Sequence, residues 1–383
     1  MGMLRVILAL AVILTHVNLD GKYLIQGGDA VKIFFIISGY YMAMILSGKY
    51  GTEKEGINRF YANRFLRLMP TYYVVLALTM GWQLFCLYGE NGHSLARGLH
   101  AFGQIFAGKL AWLPNYTLVG LDASYYFDKT PTGLAWHVAH IPPPGEYWLH
   151  EWVWVFQMWS VAAELWFYAF APSLVRIPIK WLAAVIAGSF ALQVYLSYGV
   201  GFDPGYCFWG ANIYLFGLGV LVYRLRSHLK IVPSSPAIGM VIGAIAVIWL
   251  TAQPLLHLNL HRYILEITGA LLIPTLFDLT KLNGLDRWVG NLSYPIYCIH
   301  MMGREFAKTI IGHIHASFGW LPWLTIVVTL PLSVALYYGV DHLIERYRQK
   351  IGARAFAASH HQKTARVPED LAAAPPVVAG VDA

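Results

Sequence analysis

The opening apolar segment, Leu4 to Leu19, contains two ionisable side chains, Arg5 and His16. On a helix, eleven steps separate them by roughly 16 Å and return them close to one face. A histidine within a bilayer is costly, and a plain anchor would carry Leu or Val there. Its titration near neutrality suits a general base. Arg64 and Arg67, three apart, share a face. Paired arginines hold phosphate groups through forked hydrogen bonds, although a headgroup anchor uses the same residues. Ser160 and Glu164 share a face of another apolar stretch, where a carboxylate must be paired, protonated or wetted. Ser38 and Gly39 close a Phe34-Phe35-Ile36-Ile37 run. Gly39 admits either a ligand chain or a neighbouring helix. Asn291, Ser293 and Tyr294 open a later stretch with His300 deeper in it. His300 reads first as an inter-helix hydrogen-bonding residue and ranks below His16. Lys32, Glu266 and Asp341 are intramembrane or span-end charges with no assigned role.

These residues need spans to hold them. Of 383 residues, 57% are hydrophobic and 12% charged, against roughly 25% charged in soluble chains. The composition is that of an integral membrane protein. Net charge is +7, but the basic residues cluster between apolar segments, which excludes a nucleic-acid patch. Cys86, Cys207 and Cys298 show neither metal spacing nor a disulfide framework, and no metal site is expected.

Candidate spans are Leu4–Leu19, Val31–Leu46, Tyr72–Tyr88, Val153–Val175, Trp181–Tyr198, Phe208–Tyr223, Ile238–Ala252, Tyr263–Phe277, Trp288–Met302 and Leu321–Asp341. Basic clusters follow every second span, so the positive-inside rule predicts about ten spans with both termini cytoplasmic. The expected fold is all-α, a polytopic membrane bundle over residues 1–350, with a disordered cytoplasmic tail over 351–383. No cleavable signal peptide is apparent, so the first span is read as retained. The segment Glu90 to Trp152 is long and aromatic and reads as external; within it, 98–118 suits the interface. Loops of this length are functional or structural caps.

The order of these motifs resembles the acyltransferase-3 family. Arg5 with His16, Phe-Phe-x-x-Ser-Gly at 34–39, and Arg64-x-x-Arg67 before Pro70 are followed by Trp159-Ser160 with Glu164, Phe167-Tyr168 and Pro172. Ser293-Tyr294 with Tyr297 and His300 completes the set. The resemblance covers about residues 4–350. It implies an inner-membrane, multi-pass O-acyltransferase. The donor would be acyl-CoA, typically acetyl-CoA, as a co-substrate with no bound cofactor, and the acceptor a carbohydrate or glycolipid hydroxyl. Membrane lipid and polysaccharide biosynthesis proteins are the implied partners. His16 matches the essential family histidine, Arg5 its basic partner, and Arg64 and Arg67 the donor-engaging arginines. Three features depart from the pattern. Lys32 stands where many members carry an acidic residue, the stretch before Arg5 is very short, and no SGNH hydrolase-like domain follows, so a second acyl-handling step would need a partner protein.

Acyl transfer to an alcohol needs a base, a site for a polyphosphate thioester, and oxyanion stabilisation. His16 is the candidate base, with Glu164 an alternative orienting group. Ser38 and Tyr294 join the arginines at the donor, and Phe35, Gly39, Trp159, Ser160, Tyr168, Asn291, Ser293 and His300 support them. Direct attack and an acyl-histidine intermediate both fit. The expectation is a tunnel from the cytoplasmic face to His16, lined by the spans carrying Ser38, Glu164 and Tyr294. The rival from another class is a secondary transporter or flippase with His16 and Glu164 as a proton relay. It is weakened by the absence of internal symmetry.

Overall fold

The computed structural model describes residues 1–17, 25–50, 53–90, 109–130, 133–136, 147–148, 153–200, 202–229 and 260–348. Its frame is helical, as a chain of apolar stretches in a bilayer requires, because a helix satisfies its backbone groups internally. Helix α1 (Gly2–His16) and α2 (Gly27–Ile45) form a hairpin. The Gly27 N–H donates to Thr15 Oγ1 at 2.7 Å, tying the start of α2 to the end of α1.

Helix α3 (Lys54–Glu90) is a single 37-residue helix. The sequence predicts a loop over 58–70 ahead of a span at 72–88. Instead, the basic stretch is the first half of the same helix, with Pro70 inside it. A proline within a membrane helix is tolerated where neighbouring groups re-satisfy the freed carbonyl. The consequence is positional: Arg64 and Arg67 sit on a rigid element.

The segment between 90 and 152 contributes α4 (Lys109–Thr117) and an antiparallel sheet of β1 (Phe127–Thr130), β2 (Gly133–Trp136) and β3 (Tyr147–Trp148), ordered β2-β1-β3. This small sheet is an addition to the helical frame that the sequence did not suggest. Helices α5 (Trp159–Leu174), α6 (Ile179–Tyr195), α7 (Phe202–Cys207) and α8 (Trp209–Leu225) follow. Helix α9 (Leu260–Thr280) comes next. The expected span at 288–302 is divided at Leu292 into an amphipathic α10 (Gly284–Asn291) and a longer α11 (Ser293–His313). The last helix among the described residues is α12 (Leu321–Leu336), extended by a π-helical turn over Tyr337–Asp341. The expected span at 238–252 lies outside the described residues. Among the described residues, five helical stretches are long and apolar enough to cross a membrane: Gly27–Tyr50, Ile179–Gly199, Gly205–Leu225, Arg262–Thr280 and Phe318–Arg348.

Helix α2 runs through the centre of the bundle, with buried residues along most of its length. It meets α8 at two glycines. A Cβ on Gly39 would lie 2.1 Å from the Phe216 carbonyl oxygen, and one on Gly219 would lie 2.1 Å from that of Ile36. Gly39 is therefore a helix-packing residue rather than an opening for a ligand. Helix α9 is fastened to α2 by charge. Lys32 Nζ lies 2.8 Å from Glu266 Oε1, Tyr214 of α8 donates to Glu266 Oε2 at 2.8 Å, and Arg262 pairs with Asp29 at 3.3 Å. At the other end of α1, the Asp286 carboxylate of α10 accepts the backbone N–H groups of Gly2 and Met3 at 2.8 and 2.9 Å, satisfying orphan donors of that helix. Gly2 and Gly290 let the two chains come this close: a Cβ on Gly290 would meet the Gly2 Cα at 2.5 Å. Helices α1 and α11 thus start side by side and run in the same direction.

Candidate active site

Where the first turns of α1 and α11 meet α2, α3 and α5, they enclose a cavity of about 330 Å³. Three cations line it: Arg5 from α1, and Arg64 and Arg67 from α3. One turn of helix puts Arg64 and Arg67 on the same face, and that face points inward. The Arg64 guanidinium lies over the rings of Phe60 and Tyr168, each centroid 5.9 Å away. Its Nε is buried without a hydrogen-bond partner among the described residues. Such a donor is costly to leave unpaired and suits an anionic ligand.

Beside the arginines, α2 and α5 supply one hydrogen-bonded carboxylate, Glu164. Ser38 Oγ and Tyr168 OH both donate to Glu164 Oε1, the latter at 2.5 Å. Helix α11 adds Ser293, Tyr294 and Tyr297 to the lining. The Tyr294 hydroxyl donates to the Leu68 carbonyl at 2.8 Å, and Ser293 Oγ donates to that of Gly290 at 2.8 Å. Phe35 also lines the cavity and packs on Phe216, with centroids 4.7 Å apart; Trp159 stands edge-on to it at 6.4 Å.

His16 belongs to a different place. It lies at the far end of α1, half-buried, with its ring centroid 5.2 Å from that of His300 and 5.8 Å from that of Phe156. The cavity lining does not include it. Arg5 and His16 are therefore not a contacting pair, because a straight helix keeps them about 16 Å apart. Glu164, expected as a group that could orient His16, lines the cavity with its Oε1 engaged by Ser38 and Tyr168 and makes no hydrogen bond to His16 among the described residues. Asn291 is also outside the lining and donates to the Tyr337 hydroxyl at 3.4 Å.

Tyr297 joins the two places. Its hydroxyl bonds Ser160 Oγ at 2.6 Å in the cavity wall and donates to the Gln157 carbonyl at 2.7 Å. Its own carbonyl lies 2.7 Å from His300 Nδ1. Gln157 in turn donates through Nε2 to the Cys298 carbonyl at 2.8 Å. The expected tunnel to His16 is therefore not found among the described residues: the cavity occupies the arginine end, and the hydrogen-bonded Ser160, Tyr297 and Gln157 stand between it and the histidines.

The structure brings Ser38, Arg64, Arg67 and Tyr294, expected together at the donor, into one lining, and it adds Arg5 and Glu164, which the sequence reading groups with His16. It adds Tyr41 to the lining and Arg304 near the histidines. Arg304 lies within electrostatic reach of both His16 and His300. Its sequence signal was present but weak: it stands four residues after His300, on the same helical face, where it reads as an ordinary charge closing an apolar run.

A family model described as an acyltransferase domain matches residues 1–341. The chain is 26% identical over 328 residues to a peptidoglycan O-acetyltransferase, OatA, of Listeria monocytogenes, covering 78% of this chain and 48% of that protein. It is 26% identical over 387 residues to a putative peptidoglycan O-acetyltransferase, YrhL, of Bacillus subtilis, covering 92% and 55% respectively. A putative O-acetyltransferase of Staphylococcus aureus is 26% identical over 226 residues. The chain spans about half the length of the first two relatives. No solved structure matches it.

Proposed function

Because the chain belongs to the family defined by this acyltransferase domain, we propose that it carries an acetyl group from acetyl-CoA to a hydroxyl of a cell-surface or exported glycan. The observation that carries this reading is the cavity in which Arg5, Arg64 and Arg67 converge. Three guanidinium groups around one opening suit the phosphates of a CoA thioester. A glycan acceptor is supported by the printed names of the relatives, two of which refer to peptidoglycan O-acetylation.

In this reading the arginine end of α1 faces the cytoplasm, where CoA is available, and the chain crosses the cytoplasmic membrane repeatedly. The donor's phosphates rest among the arginines while its pantetheine arm spans the roughly 16 Å of α1 towards His16. The Ser160–Tyr297 contact must part to let the thioester through. His16 then takes the proton of the acceptor hydroxyl as the ester bond forms and the thiolate leaves. The test uses membranes containing the protein, labelled acetyl-CoA and a candidate glycan. Wild type transfers label, and His16→Ala loses about 100-fold or more in rate. Transfer that survives His16→Ala overturns the role of His16. Substrate-driven proton flux without thioester consumption would point to a transporter.

A further inference from the structure

His300 is 1% exposed. Its Nδ1 lies 2.7 Å from the Tyr297 carbonyl, which can only accept, so Nδ1 carries a proton. A neutral ring fixed in that tautomer presents Nε2 as a lone-pair acceptor. This Nε2 is buried and has no hydrogen-bond partner among the described residues. An unpaired acceptor in such a place is unfavourable and calls for a use. The adjacent ring is His16, with centroids 5.2 Å apart and planes inclined by 36°. At that separation, facing ring nitrogens come within hydrogen-bond range, about 3 Å, after a modest rotation of one ring.

We propose that His300 is the positioning residue for His16: its Nε2 accepts the ring N–H of His16, so that the other ring nitrogen of His16 is left unprotonated and aimed at the acceptor hydroxyl. The inference rests on the acyl-transfer reading given above. It assigns the orienting role that Glu164, at the other end of the site, does not fill. The Tyr297 carbonyl fixes His300, His300 fixes His16, and the order of connection runs outward from the cavity wall.

Two substitutions separate this role from simple packing. His300→Asn places an amide N–H where Nδ1 stands, so it keeps the bond to Tyr297 but removes the acceptor. His300→Gln places an amide oxygen near the position of Nε2 and gives up the Tyr297 bond. The expected result is a kcat about 100-fold or more lower for His300→Asn, with the KM for acetyl-CoA unchanged, and a kcat within about 10-fold of wild type for His300→Gln. The reverse order, or equal losses, overturns the proposal, because a residue that only braces Tyr297 is best replaced by Asn. A second readout needs no turnover. Nitrogen-15 NMR of histidine-labelled protein in detergent should show one neutral tautomer of His16 in wild type and a mixture in His300→Asn. A mixture already present in wild type overturns the proposal. A single tautomer in a protein that transfers no acetyl group would leave the pairing intact and overturn the functional reading instead.

Discussion

Lys32 Nζ and Glu266 Oε1 lie 2.8 Å apart, each side chain no more than 3% exposed, in the contact between α2 and α9. The counter-charge of this lysine comes from a helix 234 positions away. Removing one partner strands a buried charge, which costs on the order of 3–5 kcal/mol. Lys32→Met and Glu266→Gln should therefore each lower the thermal unfolding midpoint in detergent. The double replacement Lys32→Met/Glu266→Met should recover much of the loss. Single variants as stable as wild type would show that the pair does not hold α9 in place.

Gly39 predicts a purely steric defect. Its missing Cβ leaves room for the Phe216 carbonyl of α8, which an alanine methyl would meet at 2.1 Å. Overpacking of this kind costs about 1–3 kcal/mol. Gly39→Ala should lower stability in unfolding measurements, whereas Gly48→Ala, with open space around the added carbon, should not.

The arginines of α3 predict a donor-specific defect. A hydrogen bond to a charged group contributes about 1.5–3 kcal/mol. Arg64→Ala and Arg67→Ala should accordingly raise the KM for acetyl-CoA by about 10-fold or more and leave that for the glycan little changed. Steady-state kinetics with each substrate varied in turn checks this. An equal rise in both constants would remove the arginines from the donor site.

The α10–α1 junction predicts a dependence on pH. Burial alone would raise the Asp286 carboxyl, but the Met3 N–H, the Met1 ammonium and the Gly2 N–H hold it down, at about 2. A folded value below the unfolded one of about 3.9 means that the carboxylate stabilises the fold fully above the unfolded pKa. This contribution is lost progressively as pH falls from about 4 to 2. Between pH 6 and pH 3, wild type should lose more of its thermal midpoint than Asp286→Asn, which lacks the titrating group. Parallel slopes would show that this cap does not couple to folding.

Much of this architecture was legible in the residues. Apolar stretches broken by basic clusters imply helices because a bilayer leaves the backbone no other partner. Local spacing likewise put Arg64 beside Arg67 and Ser160 on the face of Glu164. The continuity of α3 was not legible, since a charged stretch followed by Pro70 carries the marks of a loop. The break at Leu292 was equally hidden, because the residues around it remain a good span by composition.

What the sequence determined by itself was the chemistry available: a histidine, three arginines and a carboxylate placed in apolar helices, in an order shared with a family of acyltransferases. Which of them meet was decided only in three dimensions. Arg5 and His16 share a helix, and its 1.5 Å rise per residue keeps them in separate places. His16 and His300 are 284 residues apart in the chain, yet their rings stand 5.2 Å apart. They meet because α1 starts against Gly290 of α10, from which the chain passes into α11, and α11 then runs alongside α1 in the same direction, a relation set by packing between helices and written in neither helix alone.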